Sequence, residues 1–558
     1  MEYAGFIIPT EKGFYSKAKG KDIGEIMIEK VKENILLGFT SLGIELGSTR
    51  IKAVLAGPDH APIASGGYSW ENRLENDMWT YHLEDARIGL AACFAALACD
   101  VQKKYGVPLS TVGSIGISGM MHGYLAFDKE DKLLAPFRTW RNTNTEEAAE
   151  ELTELLSFNI PLRWSISHLY QAVLNQEPHV SQVAHITTLS GYVHYLLTGQ
   201  RVMGVGEASG MFPIDSGTCN YNLRMAALFD QKLTEHGLPY RFADIMPKVM
   251  VAGEPAGLLT PQGAKLLDPT GVLRPGIPLC PPEGDAGTGM VATNSIAERT
   301  GNVSAGTSVF AMLVLERPLS KVYREIDMVT TPDGKPVAMV HCNNCSSDID
   351  AWAQLLKEFA GAAGVQLTKG EALDLFFNVS VSGAADCGGL VSCNYFSGEP
   401  TTGFFEGRPL FVRLPDAQFN LANFAKTHLC SAIATLKIGM DVLLDQEQAK
   451  IDRLFGHGGY FKAKGVGQQL LASALDVPVS VNDAASEGGA WGIAILAAFM
   501  KNKQAGESLD HYMEHKVFAH QKGVTLSPIP EETAGFAAYI ERYQQCLKAE
   551  QAAVEAVQ

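Results

Sequence analysis

The chain has 558 residues, 46% of them hydrophobic and 19% charged, with 61 acidic against 45 basic side chains and a net charge of −16. That length exceeds what one hydrophobic core organises, so two domains are expected. The acidic balance excludes a general nucleic-acid binder, which would carry a basic stripe, though not a nucleotide, because backbone N–H groups supply local positive potential without Lys or Arg.

The ten cysteines are too sparse for a disulfide scaffold and fit reduced thiols in a cytoplasmic protein. No apolar signal core opens the chain, where Lys12, Lys17, Lys19 and Lys21 interrupt it. The longest small-apolar run, Ile88 to Cys99, is too short for a bilayer span and reads as a buried helix.

In chain order, residues 1–38 form an extension in which Ile23, Ile26, Met27, Val31, Ile35 and Leu36 recur at helical spacing. A strand Leu42-Gly-Ile-Glu-Leu46, a Gly47-Ser48-Thr49 turn and a strand Ile51-Lys-Ala-Val-Leu55 follow. This hairpin suits a phosphate-facing sheet edge and lacks the Gly-x-x-x-x-Gly-Lys-Ser/Thr of a P-loop. Glu84 to Tyr105 is expected as a helix. A buried strand Thr111–Ser118 then delivers Gly119-Met-Met-His122-Gly123 at its end.

A helix is expected from Thr145, its N-cap, to Leu156. Apolar strands and helices alternate to about residue 290, which indicates an α/β domain. Cys280-Pro-Pro-Glu-Gly-Asp285 sets a lone carboxylate among glycines, and Asp285 could simply cap a helix starting near Ala286. Asn302 to Leu313 then repeats the strand–turn–strand pattern around Gly306, Thr307 and Ser308. This weak internal repeat suggests two halves, each presenting one phosphate-facing hairpin to a shared cleft. Helices are expected at Asp350–Ala360, Leu421–Leu444, Gln468–Leu475 and Pro530–Val557, with Gly456-His-Gly-Gly459 ending a strand. The divisions are 1–38, 39–298 and 299–558.

Phosphoryl transfer from ATP to an alcohol needs a carboxylate to take the hydroxyl proton and small-residue turns that bring N–H groups onto the phosphates. The motifs Gly43–Lys52, Ser118–Gly123, Gly284-Asp285, Ser304–Ser308, Tyr395–Glu399, Gly458-Gly459 with Gln468, and Glu487–Gly492 stand in one order. Together they resemble the FGGY carbohydrate kinases, from about residue 41 to about 500.

That resemblance implies two ribonuclease-H-like domains, of the actin and hexokinase type, around a cleft that closes on substrate. It implies Asp285 as the catalytic base. Gly47, Ser48 and Thr49 with Lys52, then Gly306, Thr307 and Ser308, would take the ATP phosphates, and Gly458 and Gly459 the adenosine. Met121, His122 and Gly123 would contact the sugar, and Trp140 and Asn142 would line its pocket. Glu45 stands where the family has Asp and would hold Mg²⁺ through water.

Three more departures accompany Glu45. Asn142 and Asn144 replace charged residues, Tyr460 replaces a third glycine and would change a wall of the adenine pocket, and Glu207 stands for a substrate-side Asp. His341-Cys342-Asn-Asn-Cys345 lacks a second pair at zinc spacing and reads as buried thiols. The implied activity is ATP- and Mg²⁺-dependent phosphorylation of a five-carbon ketose, L-ribulose or D-xylulose, to the 5-phosphate. The alternatives are another polyol or sugar acid, or a non-catalytic nucleotide-binding sensor or actin-like protein. The expected partners are sugar and ATP, with no nucleic acid and no membrane, and the family prior is a homodimer.

Overall fold

The computed structural model describes residues 23–481, 488–519, 521 and 523–557, so Lys12 to Lys21 and Glu487 lie outside the described residues. Two sheets of matching topology organise the chain. In the first, β1 (Ser41–Leu46), β2 (Arg50–Ala56) and β3 (Pro62–Ser69) form an antiparallel meander. β4 (Ser114–Gly119) runs parallel beside β1, and β5 (Glu283–Gly284) runs parallel beside β4. The order is β5-β4-β1-β2-β3.

In the second sheet, β6 (Thr300–Ala305), β7 (Val309–Val314) and β9 (Pro336–Cys342) repeat the meander, with β8 (Ile326–Thr330) added at its edge. β10 (Arg453–His457) lies parallel beside β6, followed by β11 (Val479–Val481) and β12 (Val524–Leu526). Read from β3 and from β9, both halves have the order of a meander followed by two parallel strands. The internal repeat expected from the hairpins is therefore a repeat of whole sheets. The strand expected from Thr111 begins at Ser114, because the Gly113 N–H is spent on the Thr40 carbonyl at 2.7 Å.

Helix α1 (Ile23–Leu36) buries Ile35 against the first core and leaves Ile26, Met27 and Leu36 exposed, so the expected apolar face is only partly covered. Helix α2 (Leu83–Tyr105) buries Leu90, Cys93, Phe94 and Leu97 while Ile88 and Cys99 face solvent, an amphipathic helix where a wholly buried run was expected. The helix Glu146–Leu156 begins as expected after Thr145, but the Thr145 hydroxyl makes no cap and donates instead to the Leu162 carbonyl.

Helix α3 (Asp285–Ala292) follows β5, and α4 (Ser347–Ala362) follows β9. α5 (Leu421–Asp441) is, with its extension to Gln446, the one helix among the described residues long and apolar enough to cross a bilayer, and it is mostly buried in the second core. α6 (Val466–Leu475), α7 (Gly488–Asn502) and α8 (Pro530–Ala556, with Pro530 in its first turn) complete the second half in chain order.

Packing crosses the division at residue 298. Helix α7 lies on β1, β2, β4 and α3, and its apolar face (Ala490, Trp491, Ile493, Ala494, Phe499) joins a further core that takes in Val54 and Ala56 of β2 with Met312 and Val314 of β7. Two glycines permit the close approach: a Cβ on Gly43 would fall 2.0 Å from the Ala490 carbonyl oxygen, and one on Gly492 2.0 Å from that of Thr288. Trp491 Nε1 donates to the His60 carbonyl at 2.8 Å. The N-terminus of α7 is thereby aimed at the end of β1, where Glu45 stands.

Candidate active site

Both hairpin turns hold their carbonyls back and leave N–H groups free. In the first, the Gly47 carbonyl accepts from Trp70 Nε1 at 2.7 Å, the Ser48 carbonyl from the Tyr81 hydroxyl at 2.6 Å and the Thr49 carbonyl from the Trp70 N–H at 3.2 Å. The Trp70 and Tyr81 rings lean on each other with centroids 4.4 Å apart. Burial pushes the Tyr81 phenol up to about 12, so it remains a donor. The N–H groups of Ser48 and Thr49 make no bond among the described residues.

In the second turn the Gly306 carbonyl accepts from the Ser346 N–H at 3.0 Å and the Thr307 carbonyl from the Cys345 N–H at 2.9 Å, and the N–H groups of Thr307 and Ser308 are likewise unspent. Successive free N–H groups in a tight turn form a concave anion site.

Gly458 lies beside this turn at φ +104, where a Cβ would fall 2.4 Å from the Ala305 carbonyl oxygen, whereas Gly306 and Gly459 face open space. Tyr460 does not line that space. It is buried in the second core and its hydroxyl donates to the Leu429 carbonyl at 3.0 Å, so the expected change in the adenine pocket wall does not come from its ring.

Asp285 is the first residue of α3, with Gly284 at the N-cap position, so it does not cap the helix. Its half-buried carboxylate accepts from the Met121 N–H at 3.1 Å, which ties it to the Met121–Gly123 segment at the end of β4. Burial raises its proton affinity, and the N–H groups of Met121 and Ala286 hold that rise back. A base whose affinity moves toward ambient pH is better matched to taking a proton in reaction.

Glu45 is also raised, first by burial, then lowered by Lys52 and raised by the Asp285 charge. Lys52 Nζ lies 3.9 Å from its Oε2. A Cβ on Gly489 would fall 2.5 Å from its Oε1, so the start of α7 packs directly on the carboxylate. Among the described residues no three His, Cys, Asp or Glu side chains converge as a metal cage. Glu45 and Asp285, two mutually repelling carboxylates, are donors of a kind that fits Mg²⁺, which takes one or two carboxylates and keeps several waters.

His122 sits at φ +71, donates through Nδ1 to the Gly210 carbonyl at 3.2 Å and stacks on Trp164; burial and Arg163 push it down to about 3, so the ring is neutral. Trp140 is 40% exposed, with the Arg141 guanidinium 5.9 Å from its ring and 4.1 Å from that of Trp79. Asn142 is buried and its amide is spent on the backbone: Oδ1 accepts from the Trp79 N–H and Nδ2 donates to the Trp79 carbonyl, both at 2.8 Å. It therefore acts through Trp79, in place of the pocket-lining role expected of it. Glu207 is wholly buried.

Several residues of this region carried no signal in the sequence. Arg163 ion-pairs with Asp327 of β8, and Asn159 Nδ2 donates to the same carboxylate at 3.1 Å, so the second half is clasped to the segment beside His122. His341, at the end of β9, is exposed and stacks on Phe310, while its neighbours Cys342 and Cys345 are buried in the second core. Strand alternation separates them. Trp70 and Tyr81 were silent because a brace on a carbonyl leaves no local motif.

Residues 40–291 match the N-terminal domain of the FGGY family of carbohydrate kinases, and residues 301–500 match its C-terminal domain. The chain belongs to the FGGY family. It is a carbohydrate kinase, a phosphotransferase. A xylulose kinase of Haemophilus influenzae is 22% identical over 465 residues, 80% of this chain and 89% of that protein. Among solved structures, xylulose kinase from Rhodospirillum rubrum superposes with a TM-score of 0.74 at 18% identity, covering 91% of this chain and 98% of that one. Plasmodium falciparum glycerol kinase with ADP gives 0.71 at 15%, covering 90% and 98%, and gluconate kinase from Lactobacillus acidophilus 0.73 at 17%, covering 91% and 97%. These neighbours establish the two-domain actin- and hexokinase-like ATPase fold, and they span several acceptors.

Proposed function

We propose that this FGGY kinase transfers the γ-phosphoryl group of ATP to the terminal hydroxyl of a five-carbon ketose, L-ribulose or D-xylulose, giving the 5-phosphate. The observation that carries the reading is the tie between Asp285 and the Met121 N–H, which sets a carboxyl of raised proton affinity beside the Met121–Gly123 segment. The curated relative named xylulose kinase favours a pentulose, while the glycerol and gluconate kinase folds leave the acceptor to be measured.

In this mechanism Asp285 orients the attacking hydroxyl and takes its proton as the phosphoryl group moves. Ser48, Thr49, Thr307 and Ser308 hold the phosphates through backbone N–H groups, which need no reorganisation as charge shifts. Gly458 and Gly459 lie under the adenosine. Met121, His122, Gly123 and the Trp140 face contact the sugar, with Asn142 fixing Trp79 behind them. His341 and the Arg163–Asp327 clasp form the wall contributed by the second half. Mg²⁺, held near Glu45 and Asp285, would neutralise phosphate charge; Lys52 sets the counter-charge beside Glu45.

The test is ADP release with ATP and Mg²⁺ across D- and L-xylulose, D- and L-ribulose, glycerol and gluconate. A strong preference for one pentulose supports the reading, and an equal or greater response to glycerol or gluconate removes it. Asp285→Asn should lower kcat by about 10²–10⁴-fold, the share a positioned base supplies, with ATP affinity retained. Near-normal turnover in that variant would take Asp285 out of the mechanism.

A further inference from the structure

The first half encloses a cavity of about 330 Å³ that shares no residue with the site described above. It lies between the start of α2, the paired strands Leu125–Phe127 and His185–Thr187, and the helix Leu189–Thr198. That volume is within the range of small-molecule sites.

The floor of the cavity is aromatic. Phe127 and His185 stand directly opposite each other in the strand pair, so their rings meet as cross-strand neighbours. The Phe127 ring lies within 9° of His185 and within 10° of Tyr192, at centroid distances of 5.0 and 5.6 Å. Three rings thus share one orientation. Tyr192 and Tyr195, three apart on their helix, present one face to this space, as do Leu83 and Arg87, four apart on α2. Burial pushes His185 down to about 4, so it adds a flat neutral surface and no charge.

The rim is charged, and its carboxylates are already spent. Asp131 accepts from the Tyr195 hydroxyl at 2.6 Å, ion-pairs with Arg201 and lies 3.6 Å from His185 Nε2. Asp244 accepts from the Arg241 N–H at 2.9 Å. Arg201 is occupied by Asp131 and by the face of Tyr195, 5.2 Å from that ring's centroid. Arg87 differs. It lies beside the Tyr192 phenol, the nearby Asp85 carboxylate is taken by Arg73 at 2.8 Å, and Glu84, one turn earlier, is exposed. Among the described residues Arg87 forms no ion pair.

A guanidinium without a carboxylate, set at the edge of a run of parallel rings, matches a flat ring that bears an anion. The ring extends the stack, and the carboxylate fits the planar fork of the guanidinium. A cationic ligand would find both rim carboxylates engaged and Arg87 opposing it. We propose that this cavity is a binding site for a small aromatic carboxylate, with its ring on Phe127 and Tyr192 and its carboxylate on Arg87.

The walls of the cavity run to the sugar side of the cleft. The strand Leu125–Phe127 follows closely on Gly123 in the chain. Ser190, at the start of the helix that carries Tyr192, packs on Gly119, where an added Cβ would fall 3.2 Å from the Ser190 nitrogen. Occupancy of the cavity therefore bears on the Met121–Gly123 segment, and differential contact of this kind couples two sites. The coupling rests on the function proposed above, whereas binding in the cavity does not.

The probe is benzoate, with benzyl alcohol as the uncharged control, followed by saturation-transfer NMR on the full chain. Benzoate should bind with a Kd on the order of 1 mM, an affinity within reach of a molecule of this size. Saturating ATP and pentulose should leave its signal unchanged. Arg87→Ala, at an exposed position, should weaken benzoate by about tenfold or more, the loss of a charge-assisted pair, and leave benzyl alcohol unaffected. Leu196→Trp, which fills the cavity, should remove both. No benzoate signal, displacement by ATP or sugar, or equal binding to wild type and Arg87→Ala overturns the site. Benzoate near saturation should also change the KM for the preferred pentulose by about twofold or more in wild type and not in Arg87→Ala. An unchanged KM with benzoate bound overturns the coupling. A chain that binds benzoate but phosphorylates no pentulose counts against the proposed function and leaves the site standing.

Discussion

The turn at Gly47–Thr49 and the turn at Gly306–Ser308 occupy equivalent places in two sheets of the same topology, yet they are held by different means. The first is braced chiefly by side chains, Trp70 and Tyr81, reaching back from beyond β3, with the Trp70 N–H on the Thr49 carbonyl as a backbone bond beside them. The second is braced by backbone N–H groups of Cys345 and Ser346, at the entry to α4. Both arrangements reach one end, with carbonyls turned away and two successive N–H groups left to an anion. Side-chain braces can be removed one hydrogen bond at a time. Backbone braces can be disturbed only by moving the chain, so the two turns should answer differently to mutation.

The largest effect is expected where the chain of the second turn must move. Gly458→Ala places a side chain at φ +104 and 2.4 Å from the Ala305 carbonyl oxygen, at the end of the strand that enters the turn. The backbone conformation alone costs about 1–3 kcal/mol, so ATP affinity should fall by more than about tenfold and the melting temperature should drop. Gly459→Ala, with nothing within 4 Å of its Cβ, should keep the melting temperature while weakening ATP. Calorimetry on the two variants checks this, and equal melting losses would break the distinction between fold and surface.

Acid should separate the halves next. His122 and His168 are pushed down to about 3, and His185 and His194 to about 4, all by burial and all in the first half. A histidine lowered in the folded state contributes stability that is complete above its unfolded value of about 6.5 and is lost as pH falls from there through the folded value. In the second half burial lowers His341 and His457 in the same direction but by less. Between pH 6.5 and 4 the first half should therefore lose hydrogen-exchange protection before the second. Simultaneous loss would show that the packing of α7 on the first sheet makes the halves one cooperative unit.

The parts that could be read from the sequence are those whose chemistry is local. A Gly-Ser-Thr or Gly-Thr-Ser between two apolar strands marks a hairpin turn by itself, and Gly284-Asp285 marks a carboxylate at a strand end, so both turns and the position of that carboxylate in the fold were legible. What escaped depends on partners far along the chain. Asn142 looked like a pocket amide, and only the strand at Trp79 shows that both of its ends are spent. Tyr460 looked like a wall of the adenine site, and the Leu429 carbonyl draws it into the core. The seating of α7 required Gly43 to admit Ala490 and Gly492 to admit Thr288, which no periodicity reports. Gly204, Gly206 and Gly284 make room for the buried Glu207 and Glu283, a fit that exists only in the folded packing.

The smaller effects test the brace itself. Tyr81→Phe removes one hydrogen bond to the Ser48 carbonyl, about 1 kcal/mol, and leaves the ring against Trp70. The Ser48–Thr49 peptide is then free to rotate its N–H out of the nest, and the KM for ATP should rise about fivefold with the sugar KM unchanged. Ser346→Ala is the matched change at the second turn and should do least. Its contribution to the turn is its backbone N–H on the Gly306 carbonyl, and its side chain makes no cap to α4. Stability should stay within about 0.5 kcal/mol and the KM for ATP should not move. A rise like that of Tyr81→Phe would mean that the Ser346 hydroxyl itself reaches the nucleotide, and the second turn would then have a side-chain contribution after all, on its open face.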